Sequence, residues 1–501
     1  MPFCIPNRFK PAICRLSCVC TFLFLGLAGC EKTPAELTDV PSFHPSELLP
    51  GGNTSVTTTP FASFEKPVKN LPDQLKTPFF AGKALAEQPW IKAPTTTIAR
   101  DGLGPIYNAR TCMACHLNGG KGVVPEEGKE LSTAFVRISV PGENTYLGVQ
   151  PEPVYGDQLQ TQSVSLAHQL RHTGKTGFSE HDVKPEAYVY IKWQASTYTY
   201  PDGKTVNLRK PSLDIQNLGY GPLSENTLFS LRNAPAIHGM GLLELIPQAQ
   251  IQALADEHDQ NGDGISGKAN TVWDITSGAP ALGRFGHKAT RPNMDVVVAA
   301  AFAGDIGITT PLFRQQPCTA KQTICMGQPT GNDEHGTELP QHLLDLVVLF
   351  SRNLAVPKRD EKKLALHAKK IENGRGHFYN NGCAACHTPS FVTGPSTTSP
   401  HLANQTIWPY TDLLLHNMGV ELADNRPDYQ AAGDEWRTAP LWGIGYLQAV
   451  NGNSNLLHDG RARTIEEAIL WHGGEAEQAK QAFTQLSAAQ RNELIVFVES
   501  L

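Results

Sequence analysis

Two short motifs carry the residue types with the most chemistry in this chain, Cys112-Met113-Ala114-Cys115-His116 and Cys383-Ala384-Ala385-Cys386-His387. Paired thiols beside an imidazole suit a metal finger, a dithiol redox centre or a covalently held haem. A dithiol centre does not require the histidine. A zinc site needs four ligands at each cluster, or all four cysteines on one metal with partners drawn from far along the chain. Two thiols three apart reach the two vinyl groups of one haem as thioethers, and the adjacent histidine then stands under the iron. Chance supplies on the order of 0.01 such match in a chain of this composition, so two matches are not accidental. The spacing predicts two c-type haems, with His116 and His387 as their proximal ligands.

The rest of the chain must position these groups. Its 501 residues exceed a single core, and 40% apolar with 18% charged residues is a globular balance. A net charge of −6, with no run of Lys and Arg, argues against a nucleic-acid partner. Arg8, Lys10 and Arg15 precede the apolar run Val19 to Leu27, which is too short for a bilayer and the right length for a signal-peptide core. It ends Leu27-Ala28-Gly29-Cys30, which resembles the lipobox of bacterial lipoproteins. We therefore expect a leader over 1–29, a lipid on Cys30 as the sole membrane attachment, and a location facing the periplasm on the outer membrane. Residues 30–75, rich in Pro, Thr and Ser, read as a flexible tether. Cys318 and Cys325, outside the haem motifs, are expected to form a small-loop disulfide in that oxidising compartment.

Lys362 to Ile371 has the composition of an amphipathic helix leading into the second haem turn, as a cytochrome c domain begins. Glycines around the first motif, at 102, 104, 119, 120 and 122, let backbone approach a flat macrocycle. Downstream of each motif a tetrapeptide recurs: Arg232-Asn233-Ala234-Pro235 before Gly239-Met240-Gly241, and Arg437-Thr438-Ala439-Pro440 before Gly443-Ile444-Gly445. Two cytochrome c-like units with an enlarged first copy fit this order. The expected architecture is mainly α with long irregular loops, a haem 1 domain over 76–340 with insertions and a haem 2 domain over 341–501.

Asp259, Asn261, Asp263 and the Ile265 carbonyl occupy positions 1, 3, 5 and 7 of a calcium-loop pattern, with Gly264 at the turn. Position 12 is Asn270 where such loops carry a bidentate Glu. The alternative is an Asx-rich turn without metal.

Several longer segments, among them GLGPIYNARTCMACHLNGGKG, DQNGDGISGKAN, AAAFAGDIGITTPLF, RTAPLWGIG and LLHDGRARTIEEAILWHGGEA, give the chain a specific resemblance from about residue 80 to its end. It resembles the di-haem oxidoreductase, putative peroxidase family, related to bacterial di-haem cytochrome c peroxidases. The resemblance implies a reactive haem 1 with an openable distal side. It also implies a six-coordinate haem 2 fed by a small cytochrome or copper protein, and hydrogen peroxide as substrate. The related enzymes use a distal Glu as acid–base group; the match here is Glu244, with His238 as alternative base or sixth ligand, and pairing with Arg232 as the bland role for Glu244. The helix opened by Thr464 and Glu467 ends at His472, where relatives hold Met or Tyr on the second iron; His472 would make haem 2 bis-His, with Met418 as competitor. A second calcium is implied through the carbonyls of Thr438 and Pro440. Trp442, with Trp436 and Trp471 behind it, is the aromatic candidate for an inter-haem relay. Two other classes remain: an electron conduit without catalysis, and a di-haem oxidase that modifies a partner protein.

Overall fold

The computed structural model describes residues 40–58, 63–97, 100–173 and 177–501. The leader, Cys30 and residues 31–39 lie outside them. No helix among the described residues is long and apolar enough to cross a membrane.

Two crossed helix pairs organise the chain, built from α1 (Asp73–Glu87), α2 (Gln341–Arg352), α3 (Ala368–Asn380) and α4 (Ala488–Val498). α1 packs on α2 and α3 on α4. In each pair a glycine removes the side chain at the crossing. A Cβ on Gly82 would lie 1.9 Å from the Leu346 carbonyl oxygen, and one on Gly374 would lie 2.0 Å from that of Glu493. Four residues beyond each carbonyl stands a phenylalanine: Phe350 meets Phe79 at 5.2 Å between ring centroids, and Phe497 meets Phe378 at 5.3 Å. α2 forms because Leu344, Val347 and Val348 recur at helical spacing and bury together on one face. α4 opens on a Ser487–Gln490 capping box.

The expected boundary at residue 341 falls at the start of α2. Leu344, Val347, Val348 and Phe350 of α2 belong to the core that surrounds the first haem motif, whereas α3 and α4 build the second.

With 30% helix and 17% strand, the chain is not mainly α as expected. The strands come largely from the insertion: β1 (Ala134–Ser139), β2 (Tyr188–Thr199), β3 (Thr205–Gln216) and β4 (Leu228–Asn233). β1 pairs with β4, and β2 with β3 over twelve residues each, all antiparallel. Along β2, Val189 and Ile191 are buried while Tyr188 and Tyr190 stay partly exposed, the alternation of a half-buried strand. Tyr200-Pro201-Asp202-Gly203 turns the hairpin, with Gly203 at φ 83°. Its tip reaches the second unit: the Tyr200 hydroxyl donates to Glu466 at 3.1 Å, Lys204 pairs with the same carboxylate at 2.7 Å, and Tyr200 and Leu208 bury in the second core.

The tether reading also requires correction from residue 40 onward. Glu47 is fully buried, ion-paired to Arg375 at 2.7 Å and Arg359 at 3.4 Å, and it accepts the Tyr410 hydroxyl at 3.1 Å. A single buried carboxylate with three partners fixes a segment whose composition shows no periodicity. Cys318 and Cys325 are disulfide-bonded.

Candidate haem sites

The first motif forms one helical turn, Cys112–Cys115, because the Thr111 side chain accepts the Ala114 amide at 2.9 Å and caps it. The chain then reverses through Asn118 and Gly119, both at positive φ. His116 Nδ1 donates to the Pro235 carbonyl at 2.7 Å, so the repeated tetrapeptide of the first half supplies the anchor for this imidazole. An anchored Nδ1–H leaves Nε2 as the ligating atom and fixes the ring's orientation. Burial pushes the His116 imidazole down, against the pull of that carbonyl.

A cavity of about 90 Å³ opens beside this turn, lined by Cys112, Cys115, His116, Met240, Met294 and Asp305 together with aliphatic side chains from α1, α2 and the helix Met294–Ala301. Among the described residues, His116 is its sole imidazole and Asp305 its sole carboxylate. Asp305 sits in a π-turn, Phe302–Ile306, directly after the helix Met294–Ala301. Gln158 Nε2 donates to its carboxylate at 2.8 Å, and burial pushes the carboxyl up against that bond. Sequence reasoning missed Asp305.

Neither residue expected to act on the distal side lines this cavity. Glu244 takes a two-pronged ion pair from Arg352, at 2.6 and 3.2 Å, and accepts the Met294 amide at 2.8 Å, so its carboxylate ties the helix Met240–Glu244 to its neighbours. His238 packs tilted against Phe64 at 4.0 Å between centroids and donates through Nε2 to the Trp442 carbonyl at 3.1 Å. Burial pushes it down to about 4, so it is a neutral core histidine.

The second motif forms the turn Cys383–Cys386, preceded by Gly382 at φ 81°. His387 Nδ1 donates to the Tyr410 carbonyl at 3.0 Å. His472, at the end of the helix Ile465–Trp471, donates through Nδ1 to the Ala468 carbonyl at 2.6 Å, which leaves its Nε2 free as well. Burial pushes His387 down to about 4, and nearby His472 adds to the effect. Both are buried imidazoles anchored through Nδ1, the residue type that would hold a haem iron through Nε2. Met418 packs at the margin of the second core, its amide donating to the Asp434 carbonyl.

Burial pushes Cys112, Cys115 and Cys383 up to about 12, Asp305 adding to the first two, and it raises Cys386 as well. Reactive dithiols and thiolate metal ligands need the opposite shift. Cys386 Sγ lies 3.6 Å from His416, an imidazole that sequence reasoning passed over. Nδ1 of His416 meets Glu475 at 2.6 Å and Nε2 meets Asp412 at 2.7 Å. Burial alone would lower this imidazole; the two carboxylates reverse it and push it up to about 12.

The calcium readings fare unevenly. Asp259 accepts the Gly264 amide, Asn261 the Asp263 amide and Asp263 the Ile265 amide, a chain of Asx turns. Asn270 does not close that loop: it is buried elsewhere, donating to the Lys288 and Asp428 carbonyls and accepting the Gln430 amide. The Thr438 carbonyl, expected beside Pro440 on a second calcium, accepts both the Thr411 hydroxyl at 2.6 Å and Arg437 Nη1 at 3.0 Å. Its lone pairs are taken by hydrogen bonds. Among the described residues no three His, Cys, Asp or Glu side chains gather as a metal cage.

Of the three tryptophans, Trp442 is buried at the contact between the halves, with Gly239 against its ring. Trp436 lies between the His458 ring at 3.6 Å and the Lys288 ammonium at 4.5 Å, and Arg461 covers Trp471 at 4.7 Å.

No curated protein and no solved structure matches the chain. Residues 49–501 match the family described as Di-haem oxidoreductase, putative peroxidase. With nearly its whole length covered by that match, this chain belongs to the di-haem oxidoreductase family.

Proposed function

We propose that this protein is a peroxidase that reduces hydrogen peroxide to water at haem 1, carried on Cys112, Cys115 and His116. Electrons enter through haem 2, carried on Cys383, Cys386 and His387 and capped by His472. One observation carries the reading: the first cavity offers a single imidazole and a buried carboxylate, whereas at the second turn His387 and His472 are two buried imidazoles, each anchored through Nδ1. An iron with one protein ligand is open to peroxide, and an iron with two is an electron relay.

When bound, haem 1 supplies the iron at which peroxide is held and its O–O bond broken. The chain supplies the rest. His116, oriented by the Pro235 carbonyl, would hold the iron through Nε2. Asp305, its carboxyl pushed up by burial and oriented by Gln158, would be the group that moves a proton to the departing oxygen. Two electrons and two protons convert one peroxide into two waters, the electrons coming from a small cytochrome or copper protein. The same proposal takes the chain to be a periplasm-facing lipoprotein held by Cys30.

Holoprotein expressed with c-type haem maturation tests this. We expect one high-spin and one low-spin haem by electron paramagnetic resonance, and peroxide consumption driven by a reduced cytochrome. Asp305→Asn should lower that turnover by about 10²–10⁴-fold without loss of haem, while Glu244→Gln should chiefly weaken the fold. Two low-spin haems at every potential would overturn the reading in favour of a conduit, and unchanged turnover in Asp305→Asn would remove Asp305 from it.

A further inference from the structure

Asp305 reaches the first haem cavity on an irregular turn whose central carbonyls are held from outside. The Gly304 carbonyl accepts Gln158 Nε2 and Gln160 Nε2, each at 2.9 Å, and the Asp305 carbonyl accepts the Asn108 and Ala109 amides at 2.8 and 3.0 Å. A carbonyl oxygen has two lone pairs, so both are filled by donors that lie beyond the turn. Asn108 follows the strand Ile106–Tyr107, and Gln160 precedes the strand Gln162–Ser163 that pairs with it. Asn108 Nδ2 donates to Gln160 Oε1 at 3.0 Å and closes the frame.

Behind Gln160 stands a buried acid that the proposed chemistry leaves unused. Glu186 is fully buried. Its carboxylate accepts the Gln160 amide at 2.6 Å and Gln322 Nε2, and its own amide donates to the Gln160 carbonyl at 2.8 Å. No cation among the described residues pairs with it, and burial pushes its carboxyl well above the ordinary range against those two bonds. Burying an acid without a counter-ion costs free energy, and here it secures a two-point grip on the backbone of Gln160. Gln322 is equally buried, and its Oε1 accepts the Thr319 amide at 2.8 Å within the loop closed by the Cys318–Cys325 disulfide. Cys325 clusters with Ile106, in the strand that leads to Asn108. The same loop backs both arms of the frame.

We propose that Gln160, Glu186 and Gln322 are positioning residues: anchored on the Cys318–Cys325 loop, they hold the π-turn Phe302–Ile306 in the form that presents the Asp305 carboxyl to the first haem cavity. The part that carboxyl plays in peroxide cleavage rests on the reading above, whereas its placement does not. Relaxing the wide turn to a regular helix would rotate residue 305 about the axis by roughly 100°, the arc of one residue, and carry its side chain off the cavity.

Two measurements on haem-loaded protein test this. Amide hydrogen exchange across 302–308, followed without peroxide, reads the turn itself. Gln160→Met should speed it by about tenfold, the effect of one lost buried hydrogen bond, and leave exchange in α3 and α4 unchanged. Glu186→Gln should act in the same direction, since an amide oxygen flanked by its own NH₂ cannot serve both Gln160 and Gln322. Adding Gln322→Glu should reverse that effect, because the exchanged pair again accepts the Gln160 and Thr319 amides and shares a hydrogen bond between its side chains. The second measurement is peroxide turnover in a double-mutant cycle. Gln160→Met should lower it by about tenfold in the wild-type background and no further in Asp305→Asn, where nothing is left to position; a general weakening of the fold would lower both alike. Unchanged exchange across 302–308 in Gln160→Met, exchange left fast by the exchanged pair, or an undiminished loss of turnover in the Asp305→Asn background would each overturn the proposal. Turnover unaffected by Asp305→Asn alone would instead strike the peroxidase role of Asp305, and the exchange measurements would still decide whether these three residues hold it at the cavity.

Discussion

His238 donates through Nε2 to the carbonyl of Trp442 at 3.1 Å, and this bond joins equivalent points of the two sequence repeats. Each residue precedes a glycine in left-handed conformation, Gly239 at φ 72° and Gly443 at φ 73°. Each glycine makes room for the other repeat's ring. A Cβ on Gly239 would fall 2.4 Å from Trp442 Cζ2, and one on Gly443 would fall 2.8 Å from His238 Nε2. The repeats are nested, with the histidine and the tryptophan exchanged across their contact.

Gly239→Ala should therefore be costly on two counts. The left-handed backbone costs about 1–2 kcal/mol for a residue with a Cβ. Overpacking against a buried indole and Val356 adds about 1–3 kcal/mol. Thermal or denaturant unfolding of the holoprotein should show a loss of about 2–5 kcal/mol. Gly443→Ala should cost less, because the imidazole it meets has one ring nitrogen, Nδ1, without a partner and can tilt more readily than a packed indole.

An electron passing between the halves by way of a tryptophan requires a ring that can lose charge. A cation against the ring face opposes that loss, and Trp436 and Trp471 each carry one while Trp442 packs against the neutral His238. Trp442→Phe should slow transfer from reduced haem 2 to haem 1 in stopped-flow mixing with peroxide, and Trp436→Phe should leave that rate unchanged. Equal rates in Trp442→Phe and wild type would mean the transfer needs no aromatic step.

The haem turns are legible in sequence because thiols and imidazole lie within five consecutive residues. The anchors of those imidazoles are not, since Pro235 and Tyr410 act through carbonyls that every residue possesses. His472 is legible through its helix: the Thr464 cap and the spacing to the helix end put it at the C-terminus, where the structure has it. Asp305 is a single acid in an apolar run, and only the π-turn, which no composition announces, delivers it to the cavity. Glu244 shows the converse, because an acid in an apolar run found a partner, Arg352, more than a hundred positions away. The β2–β3 hairpin did carry a local signal, Pro-Asp-Gly between alternating apolar positions. That signal conflicts with a helical reading drawn from the haem motifs, and it is the local one that the structure follows.

Replacing His472 by methionine tests the assignment of haem 2. A thioether in place of imidazole favours the reduced iron, so His472→Met should raise the midpoint potential of the low-spin haem and leave that of haem 1 unmoved. His472→Gly should instead turn the low-spin signal high-spin. A low-spin spectrum that survives His472→Gly would assign the second axial position to another group.

The buried Asp412–His416–Glu475 cluster sets a pH dependence whose sign follows from the direction of the shift. His416 is pushed up to about 12 in the fold, from an ordinary value near ~6.5 in the unfolded chain. A group raised on folding contributes its full stabilisation below its unfolded value, and that contribution shrinks as pH climbs toward the folded value. His416→Gln keeps the volume and removes the charge, leaving Asp412 and Glu475 to face each other without a cation. The variant should be destabilised by about 3–5 kcal/mol near pH 6, the cost of breaking a buried charge cluster. Above pH 6.5 the gap to wild type should narrow steadily, and denaturant midpoints of the holoproteins at pH 6, 8 and 10 would record the trend. A gap that stays constant across that range would mean that His416 is neutral in the fold and that one of the two carboxylates holds the proton instead.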